Sequence, residues 1–230
     1  MAVDAKQVIR RVVDILVDVG SIAWKVDELV RWLNDGQREL VILRPDATAD
    51  IVQIALVAGV RQQLPASAVK LLDIPNNTDG QMLPIRQIER RELDEVLPGW
   101  RAGAAAGVIK HFMHDPRLPR AFEVYPPAVA GTKVDAEVSK LPIDVAVPAA
   151  GGTWNDVAGA IGVPDIHQSA LVDYVLSRAY AKASSFAGNA ARAQAHYAAF
   201  ANSLSADVSA SLTVAPQSSN PGEPAARPVA

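Results

Sequence analysis

The stretch Lys133-Val134-Asp135-Ala136-Glu137-Val138-Ser139 carries an apolar side chain at every second position and a polar or charged one between. Successive side chains of a strand point to opposite faces, so this period of two predicts a strand with one face buried and the other in water. Val52, Ile54 and Leu56 alternate in the same way around Gln53 and Ala55. Between these two stretches, Asn76-Asn77-Thr78-Asp79-Gly80 separates apolar runs at 69–74 and 83–88. Its Asn, Asp and Gly residues accept the positive φ values of a hairpin turn. Pro-rich turns at 115–119 and 126–131 similarly separate strands expected near 108–114, 121–125 and 132–139. Arg90–Val96 reads as a short crossing helix, and residues 49–150 as an antiparallel sheet or small barrel.

Working outward in both directions, the period changes to that of a helix. On the N-terminal side, Val8, Val12, Ile15, Leu16 and Val19 lie on one face, and Val26, Leu29, Val30, Leu33, Leu40 and Val41 repeat the pattern. Two helices joined near Gly20-Ser21 and paired as an antiparallel hairpin are expected over 1–48. Asp27 and Glu28 suit the positive end of the second helix, and Pro45 stops it near Leu43. On the C-terminal side, Asp165 and Gln168 suggest a capping box, followed by Leu171, Val175 and Ala179 on one face. Phe186, Ala190, Ala193, Tyr197, Phe200 and Leu204 then form a seam suited to lying along another helix, with Gly188 as a possible kink. Neither terminal pair can bury its stripe alone. The expected fold is therefore α+β: residues 1–48 and 151–205 complete one helical bundle, and the β domain is inserted between them. Residues 206–230, rich in Ser, Ala and Pro, are expected to form an extended arm, because Pro216, Pro221, Pro224 and Pro228 oppose helix. Val208, Leu212 and Val214 are its candidate contact residues.

Composition narrows the function. The 230 residues are 50% hydrophobic and 20% charged, and contain no cysteine, which excludes disulfides, thiolate metal sites and cysteine nucleophiles. A net charge of -3 offers no basic footprint for sequence-independent binding of nucleic acid. The apolar run at 51–60 falls well short of the roughly 20 residues of a membrane span, and residues 1–20 carry charges throughout, unlike a secretory signal. The chain is expected to stay in the cytoplasm where it is made.

No catalytic signature stands out. His111, His114 and Asp115 are close in sequence, but two histidines three apart on a strand face opposite ways, a poor arrangement for a shared zinc. Gly151-Gly152-Thr153 lacks the Lys-Ser or Lys-Thr of a phosphate loop and reads as a turn. Glu89, Glu92, Asp94 and Glu95 read as the solvated face of a short helix. There is no Gly-x-Ser-x-Gly elbow. Trp24, Trp32, Trp100 and Trp154 have no interleaved Lys and Arg and are read as core or interface anchors rather than base-stacking platforms. No catalytic residue, cofactor or metal is therefore expected.

Taken in order, several segments resemble the adaptor proteins of podovirus-type phages, relatives in role of tail tubular protein A. They are Arg31-Trp32-Leu33-Asn34-Asp35-Gly36-Gln37-Arg38-Glu39-Leu40 with Arg44-Pro45-Asp46-Ala47, then Ala58-Gly59-Val60-Arg61-Gln62-Gln63-Leu64-Pro65, and Leu71-Leu72-Asp73-Ile74-Pro75-Asn76-Asn77. Arg91-Glu92-Leu93-Asp94 with Pro98-Gly99-Trp100, Pro119-Arg120-Ala121-Phe122-Glu123-Val124-Tyr125-Pro126-Pro127 and Val138-Ser139-Lys140-Leu141-Pro142 follow, and then the helices from Leu171 to Phe200. The resemblance covers about residues 20–204 and lies in the order of the strings, none of which is specific alone. It implies a helical bundle interrupted by a β domain and a virion protein assembled in the host cytoplasm. It also implies a homo-oligomeric ring, usually of twelve copies, between the portal protein and the tail nozzle protein, with DNA only passing through its lumen. Trp32, Arg38, Tyr197 and Phe200 are the interface candidates in the helices. The alternative in the same class is another phage neck or tail-completion protein; an unmarked enzyme or a nucleic-acid-binding protein lies outside it.

Overall fold

A computed structural model of the chain describes residues 3–214, with side chains described through Ser205. It is an α+β structure with N- and C-terminal helices around two β-sheets. Helices α1 (Ala5–Leu16) and α2 (Val26–Leu43) come first. Strands β1 (Ala49–Ala55), β2 (Gly59–Gln63), β3 (Ala68–Asn77) and β4 (Arg86–Gln87) follow, then α3 (Arg90–Val96), β5 (His111–His114), β6 (Ala121–Ala128) and β7 (Lys133–Lys140). Helices α4 (Gln168–Lys182) and α5 (Asn189–Val214) complete the order.

The helical core is organised around α4, whose Leu171, Val172, Tyr174, Val175, Leu176 and Ala179 are all buried. A helix buried around most of its circumference needs neighbours on several sides. Helices α1, α2 and α5 supply them, and α1 and α2 each pack more extensively on α4 than on one another. The first two helices, expected as a hairpin, do touch each other, but their stripes meet chiefly on α4. Helix α1 also ends earlier than the periodicity suggests, at Leu16, where Val17 turns left-handed at φ 55°. The Asp18 carboxylate then accepts the backbone N–H groups of Ile22, Ala23 and Trp24, each at 2.9 Å, and fixes the loop into α2. Burial pushes the Asp18 pKa up, but the three donors outweigh it and leave the pKa below the ordinary value.

In the β region, β7 runs between β1 and β3 in one antiparallel sheet, and a second sheet has the order β2-β6-β5-β4. Val134, Ala136 and Val138 of β7 point into a core shared with Leu71, Ile74, Phe112, Phe122 and Val124, as their alternation requires. The expected hairpin of 69–74 with 83–88 forms only near its tip, where Asn76 bridges Pro84. Beyond it the chain crosses to the other sheet, and β4 pairs parallel with β5, a departure from the all-antiparallel expectation. Buried Asn77 stabilises this crossing. Its Nδ2 donates to the Leu83 and Ile109 carbonyls at 2.9 and 2.8 Å, and its Oδ1 accepts the Ile109 N–H at 2.8 Å.

Two further expectations change at the C-terminal end. A 3-10 turn, Asp165–His167, precedes α4, so the helix begins at Gln168 and the Asp165–Gln168 capping box is not the entry. The expected extended arm is corrected over 206–214, where α5 continues as helix to Val214. The first helix-breaking proline is Pro216, and Ala206, Ala210 and Leu212 favour helix. The part of the arm expected at 215–230 lies outside the described residues.

Candidate interface surfaces

Helix α2 carries the quoted string around Trp32 to Leu40, and the structure gives its polar members a role. Asn34 and Gln37 occupy the same apolar phase as Leu33 and Leu40, and both are buried. Asn34 Nδ2 donates to the Val145 carbonyl and Oδ1 accepts the Val145 N–H, both at 2.9 Å. Gln37 Nε2 donates to Asn34 Oδ1 at 3.2 Å, and its own Oε1 accepts the Gly162 N–H at 2.5 Å. Gly36, on the adjoining face, leaves room for the Tyr174 ring: a Cβ there would lie 2.7 Å from Tyr174 Cδ1. Gly162 is equally constrained, since its Cβ would lie 2.5 Å from the Ile143 backbone nitrogen. Together these residues clamp the irregular segment after β7 onto the bundle, with Val145, Val157, Ile161 and Val163 in the helical core. Periodicity treats Asn34 and Gln37 as ordinary polar residues; the detectable signal is that they fall where the helix should be apolar.

The interface candidates are distributed unevenly. Trp32 is half-buried against the helical core. Arg38 pairs with Asp35 at 3.2 Å and with Asp144 at 2.5 Å, so it too ties α2 to the segment after β7. Tyr197 is 43% exposed and donates from its hydroxyl to Glu39 Oε1 at 3.2 Å. Partial burial and the neighbouring Glu39 carboxylate both push its pKa up. Phe200 is fully buried, edge-on to Tyr174 with ring centroids 5.1 Å apart. As an interface residue it is corrected to a core residue of this chain, since the helix its seam meets is α4. Tyr197 and Phe200 adjoin each other, with centroids 6.0 Å apart, whereas Trp32 lies on α2. Val208, Leu212 and Val214 belong to the continuing helix α5.

Arg44, at the end of α2, donates to the carbonyl of buried Leu204 at 3.1 Å while also pairing with Asp46, fastening α5 to the end of α2. In the β region, Arg90 donates to Glu123 at 2.9 Å, with Arg61 and Arg101 at the edge of ion-pair range. Asp94 accepts from Arg101 and from the buried Trp100 indole at 2.6 and 2.8 Å, and these donors hold its pKa below the ordinary value. Both are positioning networks for α3. Among the described residues no group of three His, Cys, Asp or Glu side chains could hold a metal ion.

Two surfaces look unfinished. From 189 to 205, α5 carries Arg192 as its only Asp, Glu, Lys or Arg, yet Ala190, Ala191, Ala195, Ala198 and Ala199 are exposed. At the start of α5 lies a cleft of about 730 Å³ walled by Trp24, Tyr180 and Phe186, with Val17 at its lip. Phe186 is 70% and Val17 86% exposed.

These features define an α+β scaffold whose internal polar groups fix backbone and whose outer helices present apolar side chains to solvent. The chain matches the family model of the SU10 adaptor protein over residues 3–224, and it belongs to that family of phage adaptor proteins. As a member it is a component of the virion. No curated protein matches the chain. Among the described residues no helix is long and apolar enough to cross a membrane.

Proposed function

We propose that the protein forms a homo-oligomeric ring between the portal and the tail nozzle of a short-tailed phage, lining part of the path by which DNA leaves the head. Membership of the adaptor family over residues 3–224 carries the reading. The charge-poor exposed face of α5 supports it, because such a surface is covered by a neighbour at little desolvation cost. A closed ring requires two different faces on each copy, each meeting the other on the next subunit. Twelve copies is the number that the resemblance implies, with Tyr197 and Trp32 as helix-borne contact residues.

The net charge of -3 suits a channel that DNA must traverse without being held, since phosphate contacts bind through counterion release. The test is sedimentation of purified portal with and without the protein. An added mass corresponding to a ring, in fixed ratio to portal subunits, is the expected result. A portal that sediments unchanged at every ratio and salt concentration overturns the reading.

A further inference from the structure

We infer that Asp79 is a site of spontaneous isoaspartate formation in the folded protein, whereas Asp35, in the same local sequence, is protected by the fold. The chain contains Asp-Gly-Gln twice, as Asp35-Gly36-Gln37 and as Asp79-Gly80-Gln81. A glycine after aspartate sets no side chain beside its backbone nitrogen, so that nitrogen can approach the aspartate carboxyl. At Asp79 the fold leaves this approach open. Asp79 and Gly80 are both exposed in the turn beyond β3. Among the described residues the Asp79 carboxylate has no hydrogen-bond or ion-pair partner, and the Gly80 N–H has no acceptor. A Cβ on Gly80 would meet nothing within 4 Å, so the pair has room to rearrange. The anchors of the turn, Thr78 N–H to the Lys133 carbonyl at 3.0 Å and Asn77 N–H to the Leu83 carbonyl at 2.9 Å, lie outside the reacting pair.

Asp35-Gly36 differs in backbone, not in sequence. Gly36 is buried inside α2, where helix geometry commits its N–H to the Trp32 carbonyl. Tyr174 packs where its Cβ would stand, and Arg38 holds the Asp35 carboxylate at 3.2 Å. The nitrogen is released only when α2 opens, and the cost of opening a core helix suppresses the reaction at least about tenfold. At Asp79 the chemistry needs no co-reactant beyond water. The Gly80 nitrogen bonds to Cγ of the protonated carboxyl, whose hydroxyl leaves with the amide proton as water, and a succinimide closes. Water then adds at the α-carbonyl of the ring and breaks its bond to nitrogen. The chain now runs through Cγ, and the former backbone carbonyl is a free carboxylate. One water is lost and one regained, so the mass is unchanged.

The test is ageing of the full chain at neutral pH, followed by methylation with a protein isoaspartyl carboxyl methyltransferase and labelled S-adenosylmethionine. The methyl group marks the new α-carboxylate, and peptide mapping locates it. Label is expected in the peptide holding Asp79, at least about tenfold above that in the peptide holding Asp35. In guanidinium chloride, with α2 unfolded, the two sites should react alike. Asp79→Ala, at an exposed position without a partner among the described residues, should abolish the label and leave the thermal melt unchanged. No label at Asp79, equal label at both sites in the folded chain, or label in that peptide that persists in Asp79→Ala overturns the inference. So does a difference of the same size in guanidinium chloride, since the fold would then not be its cause.

Discussion

Replacing Asn34 with alanine is expected to loosen the joint between the β region and the helical bundle. The change removes both hydrogen bonds to the Val145 backbone and the acceptor for Gln37 Nε2, at a side chain only 5% exposed. Each intact bond contributes about 1 kcal/mol net, and each buried backbone group left without a partner costs about 1–3 kcal/mol. Water entering beside the shortened side chain recovers part of this. A loss near 3 kcal/mol is therefore expected, which for a chain of this size lowers Tm by roughly 6–12 °C. Asn34→Asp should not rescue it, because the carboxylate keeps the acceptor for the Val145 N–H but sets an anion against the Val145 carbonyl. Urea unfolding followed by circular dichroism and tryptophan fluorescence gives the comparison, with Arg11→Ala at an exposed position of α1 as a control expected to cost less than about 0.5 kcal/mol. If Asn34→Ala cost under about 1 kcal/mol, the clamp would be incidental and the joint would be held by Val145, Val157 and Ile161 alone.

Two further outcomes follow from the same structure. Gly36→Ala would ordinarily gain about 1 kcal/mol of helix propensity, but the 2.7 Å approach to Tyr174 should cost about 1–3 kcal/mol in overpacking. Net destabilisation in thermal melts is expected, and a stabilised variant would contradict the close packing of α2 on α4. Asp115 should titrate at about 2, held there by hydrogen bonds from the Arg117 side chain and then from its backbone N–H. Since the folded pKa lies below the ordinary 3.8, its contribution to stability is present above that pH and is lost as pH falls toward 2. Carboxyl NMR titration should show this, and Arg117→Gln should raise the value; an unchanged titration in the variant would refute the pairing.

Much of the architecture was legible because local pattern and tertiary demand agree. The alternation at Val134, Ala136 and Val138 is what a strand with one buried face requires, and Arg90–Val96 is helical as read. Two of the misreadings share a cause: periodicity says which face is buried, not what covers it. The stripe of α1 looks the same whether it meets α2 or α4, and Phe200 looks the same whether its partner is α4 or another subunit. The parallel pairing of β4 depends on Asn77 binding the distant Ile109 backbone, which leaves no local mark. At the C-terminal end, four prolines were read as governing the whole of 206–230, although the first stands at 216 and leaves 206–214 free to continue α5. Asn34 and Gln37 were legible in principle, as polar residues in an apolar phase.

The most direct measurement of the central claim is electron microscopy of the purified portal mixed with this protein. The account predicts a new closed ring of density on one end of the portal, coaxial with its channel and built from identical subunits, with an open lumen wide enough for duplex DNA. Portal particles without added density, or with single copies bound irregularly around the rim, would contradict it.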